Sequence, residues 1–190
     1  ILPKSFKSNY ILKQEIYLLI DCSGSMSGDK IKSAQKALVN FLNSLPDNCY
    51  FNILRFGSTF EQMFPQSVKN NKENISRALQ YASQLDANLG GTDIYSPLMS
   101  IIEDEPRKGY VRQVFALTDG MVKDPANVIS ICTANRHIMR VFPFGIGQDV
   151  NHAFLKELAK STIGEAHFIK ISSENAISNA VLATLKSSQV

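Results

Sequence analysis

A chain of 190 residues, 44% hydrophobic and 19% charged, has the length and balance of one globular domain with a full hydrophobic core. Its net charge of +3, without a Lys or Arg stripe, argues against nucleic acid. No apolar run approaches the roughly 18 residues needed to cross a bilayer.

The first strand spans Glu15 to Cys22, nearly all apolar as a centre strand covered on both faces must be. Gly28 to Ser44 follows as a helix, with Ile31, Ala34, Ala37, Leu38, Phe41, Leu42 and Leu45 at helical spacing and Pro46 just beyond. Cys49 to Phe56 is a second strand, Gly57-Ser58 a turn, and Thr59 to Phe64 a short antiparallel edge strand. A second helix runs from Lys72 to Leu85, and a third, with Ser96 as N-cap and Pro97 at its first position, runs to Asp104. Val111 to Thr118 is a strand, and a helix capped by Asp124 starts at Pro125. The strand Ile138 to Phe144, the helix His152 to Lys160 capped by Asn151, the strand Ala166 to Ile171 and a closing helix Glu174 to Leu185 complete the chain.

Strand and helix alternate throughout. This predicts an α/β fold: a three-layer, Rossmann-like, doubly wound and mostly parallel six-stranded sheet with one short antiparallel edge strand and helices on both faces. No repeat or linker interrupts the pattern, so residues 1–190 read as one domain, with a core of about 15–187 and an N-terminal extension over 1–14. The chain begins at Ile1 without Met or a signal-like segment, which points to a piece of a longer protein. Cys22, Cys49 and Cys132 form no CxxC pair. That argues against a disulfide scaffold or zinc site and favours buried thiols in a reducing, cytoplasmic setting.

Asp21-Cys22-Ser23-Gly24-Ser25 closes the first strand by presenting a carboxylate and two hydroxyls at alternate positions on a tight turn. Such hard oxygens suit a small divalent cation, Mg²⁺ first and Mn²⁺ or Ca²⁺ as alternatives. Leu117-Thr118-Asp119-Gly120 closes another strand. If the two strands are neighbours, their loops meet where strand order reverses, which is where open α/β sheets place ligands. Gly90-Gly91-Thr92-Asp93, in a loop between helices, can swing Thr92 onto the same crevice. Taken singly, each segment is an ordinary turn; together and in this order they describe a site made of Asp21, Ser23, Ser25, Thr92 and Asp119. Asp93 reads as a structural carboxylate and Asp29 as a helix N-terminal charge. His137, His152 and His167 read as surface or cap residues, and Tyr95 and Met121 as flanks of the site. Gly145-Ile146-Gly147 lacks the third glycine of a dinucleotide fingerprint, because position 150 is Val.

On Asp21-Cys22-Ser23-Gly24-Ser25, Thr92 and Thr118-Asp119-Gly120, the chain resembles the von Willebrand factor type A family over roughly Glu15 to Ile171. In that family these pieces form a metal-ion-dependent adhesion site. Gly90-Gly91-Thr92, Asn52 to Phe56 and Phe144-Gly145-Ile146-Gly147 look most like the intracellular branch, which pairs this domain with an N-terminal VIT domain. The resemblance implies that Ser23 and Ser25 coordinate the metal directly and Thr92 directly or through water. It implies that Asp21 and Asp119 hold coordinated waters, and that a partner protein's Asp or Glu carboxylate fills the open position. The function expected is a metal-dependent protein–protein interaction module, not an enzyme. Two alternatives stand beside it, a Mg²⁺-dependent phosphohydrolase and a structural domain of a larger assembly. The first wants a second acid where Ser23 stands and a basic phosphate clamp, for which Lys30 and Lys123 are the nearby candidates.

Overall fold

The computed structural model describes residues 13–170 and 174–187. Most of the expected extension, residues 1–12, and Ile171 of the last expected strand lie outside them. In chain order the elements are β1 (Lys13–Asp21), α1 (Asp29–Ser44), β2 (Tyr50–Phe56), β3 (Phe60–Gln62), β4 (Val68–Lys69), α2 (Lys72–Ser83) and α3 (Tyr95–Glu103). They continue with β5 (Tyr110–Thr118), α4 (Pro125–Ala134), β6 (Met139–Ile146), α5 (His152–Ser161), β7 (His167–Ile169) and α6 (Glu174–Ser187). The sheet runs β3-β2-β1-β5-β6-β7, with β4 also on β2. β1, β2, β5, β6 and β7 are parallel, and β3 and β4 pair antiparallel with β2. The mostly parallel, three-layer α/β architecture is as expected.

Alternation along β1 explains the layers. Ile16, Leu18 and Ile20 join a core with α1, α2 and α6, where Phe41 of α1 packs on Phe115 of β5 and Phe144 of β6 at ring separations of 5.0 and 5.1 Å. Tyr17 and Leu19 face a second core built from Leu98 and Ile101 of α3, Val128 and Cys132 of α4, and Leu155 and Leu158 of α5. A strand buried on both faces must be apolar at nearly every position, which is why β1 lacks a polar stripe.

The sheet has seven strands where the sequence pattern indicated six. Val68–Lys69 is too short to show a period of two. It pairs with Tyr50 and Phe51 in a register three residues away from that of β3, so the edge bulges between them. Asn52, fully buried, fills the gap with its side chain. Its amide nitrogen donates to the Phe64 carbonyl at 2.8 Å, and its oxygen accepts from Phe64 N at 3.1 Å and Ile53 N at 2.8 Å. Asn52→Ala strands those backbone groups in the interior and is expected to cost about 1–3 kcal/mol, read as a lowered urea midpoint with the slope unchanged.

The third helix starts one residue before the Ser96 expected as its cap. Asp93 does the capping: its carboxylate accepts from Tyr95 N at 3.0 Å, Ser96 N at 3.2 Å and Ser96 Oγ at 2.5 Å. Asp93 is thus engaged structurally, as expected. Asp124 and Asn151 cap α4 and α5 through Asn127 N and Phe154 N, as the sequence indicated. His167 departs from its expected surface role. It stacks on Phe144 and meets Thr184 Oγ1 of α6 at 2.8 Å, and burial holds its imidazole below the usual 6.5.

Candidate metal centre

The order of strands leaves β1 and β5 paired side by side, with Ile20 beside Leu117, while the crossover from β1 through α1 leads the other way to β2. The strand order reverses here, and the loops leaving β1 and β5 diverge around a crevice at their carboxyl ends. Asp21 closes β1, and Asp119 follows the last residue of β5.

Three loops are laced into this crevice by backbone hydrogen bonds. Gly24 N donates to Gly90 O at 2.8 Å and Leu89 N to Cys22 O at 3.0 Å, docking the Gly90–Thr92 segment on the turn after β1. Lys123 N donates to Thr92 O at 3.2 Å, docking the same segment on the loop after β5. Gly90 makes this path possible, since its φ of +77° is left-handed and a β-carbon there would sit 2.9 Å from Ser58 Oγ. The long loop that holds Thr92 is therefore fixed on both sides, with Thr92 itself buried.

The side chains are positioned in turn. Asp21, wholly buried, accepts from Ser23 N at 2.9 Å on one oxygen and from Thr118 Oγ1 at 2.6 Å on the other. Thr118 Oγ1 also accepts from Gly120 N at 3.0 Å, so this one hydroxyl ties the ends of β1 and β5 together. Asp119, also wholly buried, accepts from Met121 N at 3.1 Å and from Lys30 Nζ at 3.0 Å. Ser23 Oγ and Ser25 Oγ lie 3.0 Å apart. Burial raises the Asp21 pKa above its ordinary 3.8; the hydrogen bonds from Ser23 and Thr118 pull it down, and the charge of Asp119 pushes it up again. The crevice is therefore an interior pocket of negative charge with more carboxylate than its own donors neutralise.

These features fit a small hard cation. Ser23 Oγ and Ser25 Oγ hydrogen-bond to each other at 3.0 Å, which brings both hydroxyls close enough to serve one small ion. Among the described residues no group of three or more His, Cys, Asp or Glu side chains converges as a metal cluster. What the crevice offers instead is hydroxyls beside two buried carboxylates, donors that suit hard ions.

The sequence named Asp21, Ser23, Ser25, Thr92 and Asp119. Direct contacts link Asp21, Ser23 and Ser25, and the field of Asp119 acts on Asp21. Thr92 joins through its backbone. Two further participants were missed. Thr118 was read only as part of a turn, although a hydroxyl at a strand end beside a buried carboxylate is a natural donor. Lys30 was weighed only as a phosphate clamp. Of the flanking residues, Met121 is exposed and Tyr95 half-buried, while Met26 is core. Cys22, Cys49 and Cys132 are all free and buried, with their thiols pushed up to about 12 by burial.

Residues 14–168 match the von Willebrand factor type A domain family. The chain is 42% identical over 164 residues to von Willebrand factor A domain-containing protein 5A of Rattus norvegicus, a match covering 82% of this chain and 20% of that protein. It is 40% identical over 158 residues to a von Willebrand factor A domain-containing protein of Dictyostelium discoideum, covering 83% of this chain and 19% of that one. The chain thus spans about a fifth of the length of these curated relatives. Among solved structures, a von Willebrand factor type A protein from Catenulispora acidiphila superposes with a TM-score of 0.80 at 21% identity, over 93% of this chain and 43% of that one. Manganese-loaded TRAP protein of Plasmodium vivax gives 0.72 at 20% identity, over 93% and 73%. Proximal thread matrix protein 1 of the mussel byssus, with a zinc-occupied MIDAS motif, gives 0.70 at 19% identity, over 93% and 46%. At these identities the likeness is one of fold.

Proposed function

The chain belongs to the von Willebrand factor type A domain family, and from that membership we propose that it is a recognition module in which a magnesium ion at the β1/β5 crevice captures a carboxylate of a protein partner. The observation that carries this reading is the pair of serine hydroxyls set 3.0 Å apart over two buried carboxylates. Hard oxygen donors of this kind also suit Mn²⁺ and Ca²⁺. The manganese and zinc of the TRAP and mussel structures are precedents for a divalent ion on this fold.

In this reading Ser23 and Ser25 hold the ion through their hydroxyls, Thr92 directly or through water, and Asp21 and Asp119 through coordinated waters. When bound, the ion supplies a Lewis-acidic position open to an Asp or Glu side chain of the partner. Neutral inner donors leave its charge largely intact, while the two carboxylates set behind them retain it. Thr118 and the Ser23 amide orient Asp21, and the bonds from Gly24 and Lys123 to the Gly90–Thr92 segment fix the third loop before any ligand arrives. The reducing, intracellular setting is supported by three buried free thiols.

The rival reading as a phosphohydrolase has less to work with. Ser23 stands where such an enzyme wants a second acid, and of the two candidate clamps the ammonium of Lys30 is engaged by Asp119, which leaves Lys123, beside Gly91, alone. A structural role in a larger assembly would not need the hydroxyl pair. Calorimetric titration with Mg²⁺ and Mn²⁺ is expected to show one ion bound per chain, with binding lost in Ser23→Ala. Incubation with p-nitrophenyl phosphate and Mg²⁺ is expected to give no turnover. A chain that takes up neither ion would sink the metal reading, and turnover lost in Asp21→Asn would make it an enzyme.

A further inference from the structure

One carboxylate of the proposed site already holds a cation that belongs to the chain. Lys30, the second residue of α1, places its ammonium 3.0 Å from Asp119 Oδ2, against a carboxylate with no solvent exposure, while its own side chain is 20% exposed. The route is built for it. A β-carbon on Gly147, in the loop after β6, would lie 2.9 Å from Lys30 Cε and 3.4 Å from Cδ. Gly147, at φ +113°, thus leaves the channel along which the lysine stem passes. Position 147 then matters for what it admits, a role distinct from the nucleotide motif that its spacing superficially suggests.

The charge balance gives this contact its meaning. Asp21 is satisfied by neutral donors, Ser23 N and Thr118 Oγ1. Asp119 is held by Met121 N and by a full positive charge. The two carboxylates and the ammonium paired with one of them carry one net negative charge, with Lys123 adding a positive charge beside Gly91 at the rim. A divalent ion converts this to one net positive charge, which a single carboxylate neutralises. Without the lysine the same ion would bring the crevice only to neutrality. An ammonium held on one of the two carboxylates also opposes entry of a second cation beside it.

We propose that Lys30 is a tethered competitor that sets the charge of this site: it weakens capture of the divalent ion and strengthens the loaded site's hold on an anionic partner. The inference rests on the metal reading above. Its signature is a pair of opposite effects from one substitution, which a merely structural contact would not produce.

The test compares the chain with Lys30→Gln, which removes the charge, and Lys30→Arg, which keeps it. By calorimetry, Lys30→Gln is expected to bind Mg²⁺ about tenfold more tightly than the unchanged chain, with the gap narrowing in high salt. Lys30→Arg is expected to stay within about threefold of the unchanged chain, because the charge is retained. On the Mn²⁺-loaded protein, acetate displacing metal-bound water lowers water-proton relaxation, and Lys30→Gln is expected to need several-fold more acetate. Should the Gln variant fail to fold, Lys30→Met, of similar stem length, takes its place. Equal or weaker Mg²⁺ affinity in the charge-free variant, or an unchanged acetate response, overturns the role of Lys30 while leaving the metal site standing. Absence of binding in every form, the unchanged chain included, overturns both.

Discussion

Arg112→Met lowers the stability of the chain by about 3–5 kcal/mol, a large share of the roughly 5–15 kcal/mol that holds a domain of this kind together. Arg112 lies on β5 with 2% exposure. Its Nε donates to Glu15 Oε2 of β1 at 2.9 Å, while Nη1 donates to the carbonyls of Ile101 and, at 2.9 Å, Asp104. Nη2 donates to Glu105 O at 3.2 Å. One guanidinium therefore neutralises a buried carboxylate and terminates α3, whose last carbonyls have no helical partners of their own. Glu15 is finished by Ser67 Oγ at 2.6 Å. Methionine retains the volume but leaves Glu15 charged, 3% exposed and uncompensated. Lysine retains the charge but not the fork that reaches both strand and helix, so Arg112→Lys also loses most of the effect. Urea unfolding measures the loss, and Glu15→Gln combined with Arg112→Met recovers a large part of it, because the uncompensated charge is then gone. A double variant no more stable than Arg112→Met would place the cost in the orphaned carbonyls instead. Since Arg112 pairs near the amino-terminal ends of the strands, at Glu15 and Met139, the β1/β5 crevice at their carboxyl ends is expected to stay intact in the folded fraction.

Arg112 also shows what the sequence could and could not display. The apolar run Ile16 to Ile20 and the spacing of Ile31 through Leu45 report burial averaged over an element, and that is enough to place strands, helices and layers. They are silent about the rare polar residue inside, because its partner is set by tertiary pairing; Glu15 and Arg112 are 97 positions apart. The same holds for Asn52, whose role exists only because the edge strand bulges opposite it. At the site, Asp21, Ser23 and Ser25 were legible since a single turn holds all three. Asp119 was legible through its place at a strand end, and strand pairing brings it to the first turn. Lys30 was not legible as a partner of Asp119, because nothing local marks a lysine whose stem crosses a glycine on a third loop.

Asp21→Asn is expected to move stability and binding in opposite directions. Metal affinity falls by about 10–100-fold, as for the loss of a charged group that orients bound water behind the inner ligands, while the metal-free chain becomes more stable at neutral pH. The second half follows from linkage. Burial raises the folded pKa of Asp21 above its ordinary 3.8, against the pull of its hydrogen bonds. The folded chain thus holds this proton more tightly than the unfolded chain does. Its contribution is fully present below the unfolded value and is lost as pH rises through the folded one, so at pH 7 the buried charge of Asp21 costs the fold stability. Asparagine removes that charge at nearly the same shape: its oxygen accepts from Ser23 N, while its amide faces Thr118 Oγ1, whose hydroxyl loses the acceptor it has in Asp21 and so offsets part of the gain. Melting curves without metal place the variant above the unchanged chain. Mg²⁺ at about 100 times the Kd of the unchanged chain raises that chain by about 2.7 kcal/mol and the variant by only about 0.4–1.4 kcal/mol, so the gap between the two closes or reverses. A variant that melts lower without metal would show that the hydrogen bonds to Asp21, rather than its desolvation, dominate the crevice. A variant that keeps its Mg²⁺ affinity would remove Asp21 from the centre altogether.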